Sequence, residues 1–207
     1  MTGHAYPPAP WQMHGSMWMS VFKLREDART ATGEPRPAGT YAVGFVSYVE
    51  PSPLTYSELL AARYLGDGPR KGFVSITDIW VDSPASVAGG RELWAIPKHL
   101  CDFDLESSFR GPLTSTSWQA SVERTPIVEA SFTDVSRVAP RVPMKGKVWQ
   151  PGIDDHPDDA DIVMAGTARA LPCRARWHFA SGGPLGFLSG ARRVGSFRTK
   201  DFRLAFD

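Results

Sequence analysis

Proline and glycine punctuate this chain from end to end, eighteen and nineteen times in 207 residues, and leave little room for long helices. Each interior proline removes a backbone hydrogen bond and clashes with the preceding helical turn. A chain so interrupted folds through strands and turns. Seven tryptophans and eleven phenylalanines supply the bulky side chains that pleated, half-buried surfaces favour. With 42% hydrophobic residues the chain can bury one substantial core and is short for two domains. The expectation is a single domain over residues 1–207, with residues 1–11 as an extended Pro-rich N-terminal arm packed over the body.

Charge excludes several classes of partner. The 23 basic and 22 acidic residues nearly cancel, so no overall field favours nucleic acid or an acidic membrane surface. No apolar run reaches the roughly 18 residues of a membrane-spanning helix, and the N-terminus lacks a charged-then-apolar secretory pattern. The two cysteines, Cys101 and Cys173, lie far apart. Reduced thiols in a cytoplasmic protein are expected.

Period-two patterning and turn residues place strands at residues 18–24, 40–49, 73–81, 100–105, 115–122, 127–132, 162–170, 174–179 and 195–206. Residues 25–37 read as a polar, mobile loop. Residues 56–65 are ambiguous, because Glu58-Leu59-Leu60-Ala61-Ala62-Arg63 are good helix formers. One helix stands out after residue 82: Ser83 suits the cap and Pro84 the first helical position. Gly89-Gly90 inside that helix marks either close packing or an early end.

Just beyond the helix, Leu93-Trp94-Ala95-Ile96-Pro97-Lys98-His99-Leu100 puts a lysine directly after a proline at the end of an apolar run. Such a lysine either snorkels its ammonium to solvent or, held in apolar surroundings, loses its charge more readily. As a neutral amine it is a nucleophile toward ketones and aldehydes. A free lysine near pKa 10.4 is only about 0.1% neutral at pH 7.4, and lowering its pKa by three units would free about half the population, a gain of roughly 4 kcal/mol. His99 titrates near neutrality and is a candidate acid–base group.

The run Gly90-Arg91-Glu92-Leu93-x-x-x-Pro97-Lys98 resembles the signature of the acetoacetate decarboxylase family, as does Tyr56-Ser57-Glu58 upstream. Pro7-Pro8-Ala9-Pro10-Trp11 is similar to the opening of shorter bacterial members. The resemblance covers most of the chain in outline and is most specific at residues 90–100. That family is itself the standing example of a lysine activated by its surroundings. The resemblance implies a mainly β (α+β) fold, a closed or nearly closed antiparallel β-barrel or cone with a few short helices, and makes residues 56–65 a strand. It implies that Lys98 forms a Schiff base with a small keto acid or ketone, with Glu58 moving protons. Tyr56 then donates a hydrogen bond into the pocket, and Trp94 belongs to the substrate-binding wall. No metal or organic cofactor is implied, and a homo-oligomer is.

The sequence departs from the family in three places. His99 stands where familiar members carry a second lysine. The early arginine that meets the substrate carboxylate is missing from residues 11–18, leaving His14 as the nearest candidate. Val43-Gly44-Phe45 replaces an acidic position on the second strand. The expected activity is therefore that of a Schiff-base lyase, decarboxylase-like, with aldol or dehydration chemistry on the same imine as the alternative. A barrel that binds a small ligand without catalysis also remains open. Arg91 and Glu92 are read as support for the helix end. Residues 154–161 read as a solvated acidic loop, since a proline interrupts them and no terminal glutamate completes a calcium loop.

Overall fold

The computed structural model describes residues 5–135 and 139–207; residues 1–4 of the expected arm lie outside the described part. Among the described residues, fourteen strands, β1 to β14 in chain order, one α-helix and a short 3-10 turn at Gly186–Leu188 make up the fold. Eight strands form one sheet in the order β11-β12-β14-β1-β4-β5-β6-β7, and four more pair as β13-β10-β9-β8. The long strands are β1 (Trp11–Leu24), β4 (Gly39–Tyr48), β5 (Tyr56–Tyr64), β6 (Val74–Val81), β12 (Ala160–Pro172) and β14 (Arg192–Phe206). The smaller sheet comprises β8 (Asp102–Arg110), β9 (Leu113–Val122), β10 (Thr125–Asp134) and β13 (Arg174–Phe179).

The mainly β expectation holds, but the large sheet is mixed rather than antiparallel. Strand β7 (Lys98–Leu100) runs parallel to β6, in the register Ile79↔Lys98. Neighbouring parallel strands need a crossover, usually a helix, and α1 (Pro84–Trp94) is that crossover. The sheet curls back on itself through a parallel bridge from its end strand β11 (Arg141–Gln150) to β6, Val148↔Val74. One edge of β6 thus carries β7 at Ile79–Val81 and β11 at Val74. Ile76 falls between them, and the buried Gln150 amide serves its backbone instead. Gln150 Oε1 accepts from Ile76 N at 2.7 Å, and Nε2 donates to Ile76 O at 3.1 Å. An orphaned backbone pair is thereby satisfied without another strand.

Alternation sorts the large sheet into two cores. Trp11, Met13, Val46, Tyr48, Tyr56, Ile79 and Val81 gather inside the curl. Trp18, Phe22, Tyr41, Val43, Phe45, Leu59 and Trp80 pack outward against Trp118, Ile127 and Phe132 of the smaller sheet. Residues 25–37 are not a featureless loop. They contain the short pair β2 (Ala28–Arg29) and β3 (Pro35–Arg36), and Arg36 is buried in an ion pair with Asp78 of β6 at 2.6 Å. Strand β11 has no counterpart among the sequence expectations; Pro143 interrupts its pattern, and proline is confined to sheet edges. Strand β1 begins at Trp11, seven residues before the expected start at Trp18.

Candidate active site

Four elements converge on Lys98. Tyr56 and Glu58, two apart on β5, share its inward face, and Tyr48 of β4 stands directly opposite Tyr56. Ser86 and Gly90, one helical turn apart on α1, meet the same lysine. The Ser83 side chain caps the helix by accepting from Ser86 N at 3.2 Å. At the other end Ala95 adopts a left-handed conformation (φ 54), and Ile96 N bonds to Gly90 O at 3.0 Å. That turn swings the chain from helix into β7 and sends Lys98 inward.

The ammonium of Lys98, 5% exposed, donates to Ser86 Oγ at 2.9 Å, Glu58 Oε2 at 3.0 Å and Tyr56 Oη at 3.3 Å. Tyr48 Oη donates to the other Glu58 oxygen at 3.1 Å. The amine also lies 4.9 Å from the Tyr56 ring centre. Gly90 makes room for the lysine stem, since a Cβ there would come 2.7 Å from Lys98 Cδ. At Gly89 a Cβ would come 2.7 Å from Trp11. The glycine pair therefore marks close packing, and the helix continues through it. Trp11, Met13, Ile76, Ile79, Trp94, Ile96 and Phe206 complete the lining of a cavity of about 40 Å³.

The lysine is buried, but its charge is not depressed. Burial by itself would lower its pKa; the Glu58 carboxylate, Tyr56 and hydrogen bonds to both outweigh burial and hold it above the ordinary lysine value. A carboxylate placed to move protons also favours the ammonium, so of the two alternatives for this lysine it is buried and keeps its charge. Burial, with Glu58 adding to it, keeps Tyr48 protonated far beyond the usual phenol range. Burial likewise raises Tyr56, against the pull of Lys98.

Of the residues singled out in the sequence, Lys98, Glu58, Tyr56 and Trp94 meet at this cavity. His99 does not. As the next residue on β7 it points to the opposite face, is exposed, and lines a separate cleft of about 450 Å³ with Arg36, Asp78 and Trp80. His14 is also absent from the cavity, because its neighbour Met13 takes the inward position on β1. Tyr48 and Ser86 were not anticipated. The spacing of Ser86 and Gly90, small residues one turn apart, was the available sign of a helix face pressed against something bulky.

The surroundings brace the helix end. Arg91 pairs with Asp155, and Tyr6 donates to Glu92 at 2.6 Å. The acidic loop is tied down rather than merely solvated, with Asp159 accepting from Trp149 at 3.1 Å and Asp161 from Arg70 at 2.8 Å. Among the described residues no three His, Cys, Asp or Glu side chains gather as a metal-binding group, and no helix is long and apolar enough to cross a membrane. Cys101 is buried and its thiol is pushed up to about 12, by burial first and then by Asp82 and Asp102.

A curled, mainly β sheet built around one buried lysine–glutamate pair defines the class of protein to which this chain is comparable. The sequence profile of the family described as acetoacetate decarboxylase matches residues 34–166, more than half of the chain, and the chain belongs to that family. Solved structures share the fold. The enduracididine biosynthesis enzyme MppR complexed with pyruvate superposes with a TM-score of 0.61 at 15% identity, over 99% of this chain and 91% of that one. Acetoacetate decarboxylase from Legionella pneumophila gives 0.60 at 13% identity, over 98% and 86%. An acetoacetate decarboxylase-like enzyme from Sphingomonas wittichii RW1 gives 0.59 at 12% identity, over 97% and 91%. No curated protein matches the chain in sequence.

Proposed function

We propose that this protein is an imine-forming enzyme that acts on a small ketone or keto acid through Lys98. The observation that carries the reading is the Lys98 ammonium, buried in a largely apolar cavity and hydrogen-bonded to Glu58, Tyr56 and Ser86. Lys98 first passes a proton to Glu58, 3.0 Å away, and the freed amine adds to the substrate carbonyl carbon. Glu58 returns that proton to the carbonyl oxygen, which leaves as water, and the resulting iminium ion accepts electrons from a bond to the neighbouring carbon. Where that bond leads to a carboxylate, carbon dioxide leaves, as in the family's decarboxylation. Where it leads to hydrogen, an enamine forms, and aldol or dehydration chemistry follows. The enamine carbon takes a proton from Glu58, or from water once carbon dioxide has left, and hydrolysis of the iminium returns Lys98 as its ammonium. Tyr48, donating to Glu58, holds that carboxylate in position throughout.

The second branch has its own support, because seven of the residues lining the cavity are apolar. MppR, similar in fold, has been captured with the condensation product of pyruvate and imidazole 4-carboxaldehyde. A cytoplasmic setting and self-association belong to the same proposal; the two free thiols agree with the former.

The test is reductive trapping with cyanoborohydride and a panel of small ketones, aldehydes and keto acids, read by intact mass and peptide mapping. A stable adduct on Lys98 is expected, absent in a Lys98→Met/Glu58→Gln protein that removes both buried charges together. No adduct on Lys98 with any carbonyl compound would leave a ligand-binding barrel without this chemistry.

A further inference from the structure

Resting on the imine reading above, we infer that the natural substrate is an uncharged aldehyde or ketone with an apolar chain, which reaches Lys98 between Ile76 and Phe206. Of the eleven residues that line the cavity, those two alone are partly exposed, while the other nine are buried. Ile76 and Phe206 therefore flank its entrance. The space beside the amine, about 40 Å³, is far below the roughly 150 Å³ of a cavity that holds benzene. It admits the carbonyl end of a molecule, and the rest lies along the apolar entrance.

Charge decides the class. Lys98 and Glu58 already form a neutral pair at 3.0 Å, and the tyrosine hydroxyls beside them are held protonated. The remaining lining is Trp11, Met13, Ile76, Ile79, Trp94, Ile96 and Phe206. A substrate carboxylate would enter as a second anion facing a cation already matched, and would leave water for apolar walls, which is costly without a partner. The residue placed by sequence to meet such a carboxylate, His14, belongs to the other face of β1. An uncharged carbonyl meets no such penalty. Its carbon bonds to Nζ, its oxygen departs as water with two of the ammonium's three protons, and the single positive charge stays opposite Glu58. With no carboxylate to lose, the iminium draws the electron pair of an α-carbon–hydrogen bond. That proton passes to Glu58 and an enamine results.

The experiment compares uncharged carbonyls with keto acids of equal carbon number, butanone with 2-oxobutanoate and hexanal with 2-oxohexanoate, by cyanoborohydride trapping of the wild-type protein. Labelling of Lys98 is divided by labelling of the exposed Lys71, which removes each compound's intrinsic reactivity. The expected result is a normalised preference of at least about tenfold for the uncharged partner, with exchange of butanone α-hydrogens for deuterium in heavy water. Equal or stronger trapping of the keto acids would overturn the substrate class while leaving the imine reading intact. Lys98 unlabelled by every compound would overturn both.

Discussion

Lys98 keeps its positive charge in the folded protein because Glu58 offsets the cost of burial, and this sets how the site responds to pH. Imine trapping should climb through the alkaline range instead of levelling off near neutrality, as a depressed lysine would make it do; a rate-against-pH profile distinguishes the two. Stability follows the same group with a defined sign. A lysine raised in the folded state contributes its full stabilisation below its ordinary value of 10.5, and loses it as pH rises through the higher folded value. Thermal melts above pH 10.5 should therefore narrow the gap between wild type and the Lys98→Met/Glu58→Gln double variant. Gly90→Ala tests the lysine stem. Helix propensity gains about 1 kcal/mol, but the added methyl displaces Lys98 Cδ and Cε. The melting temperature should change little, while Lys98 trapping drops by up to about a hundredfold, as displacements near 1 Å can do.

Among the elements, the seam is the part most open to test. Gln150→Ala removes the amide that serves both backbone groups of Ile76, and unsatisfied partly buried groups cost about 1–3 kcal/mol each. A melting temperature lower by several degrees is expected, at about 2–4 °C per kcal/mol for a chain of this size. The sequence announced some elements and hid others for physical reasons. Ser83 and Pro84 marked the start of α1 because capping chemistry is local. Tyr56 and Glu58 were legible as a pair because a strand repeats every two residues, although resemblance was needed to choose strand over helix there. Strand β11 was hidden by Pro143, and the parallel placement of β7 by the fact that pairing partners lie outside any local window. His99 shows the limit most clearly: adjacency to Lys98 in sequence means opposition in a strand, and it faces another cleft.

At the scale of the molecule, strand β6 separates two environments. Ile79 faces the lysine cavity, whereas Asp78 and Trp80 face the layer beneath the smaller sheet. The Arg36–Asp78 pair pins the β2–β3 hairpin on that second side, with both side chains under 10% exposed. Arg36→Met should cost about 3–5 kcal/mol by stranding a buried carboxylate, read in denaturant unfolding, yet leave Lys98 trapping near the wild-type level at temperatures where the variant is folded. The seam joins what β6 otherwise keeps apart. Gln150, the residue that ties the sheet back on itself, grips the backbone of Ile76, and Ile76 lines the lysine cavity. The clasp of the sheet and the wall of the site thus share one residue, so a change that loosens the seam is felt directly at the lining of the lysine cavity.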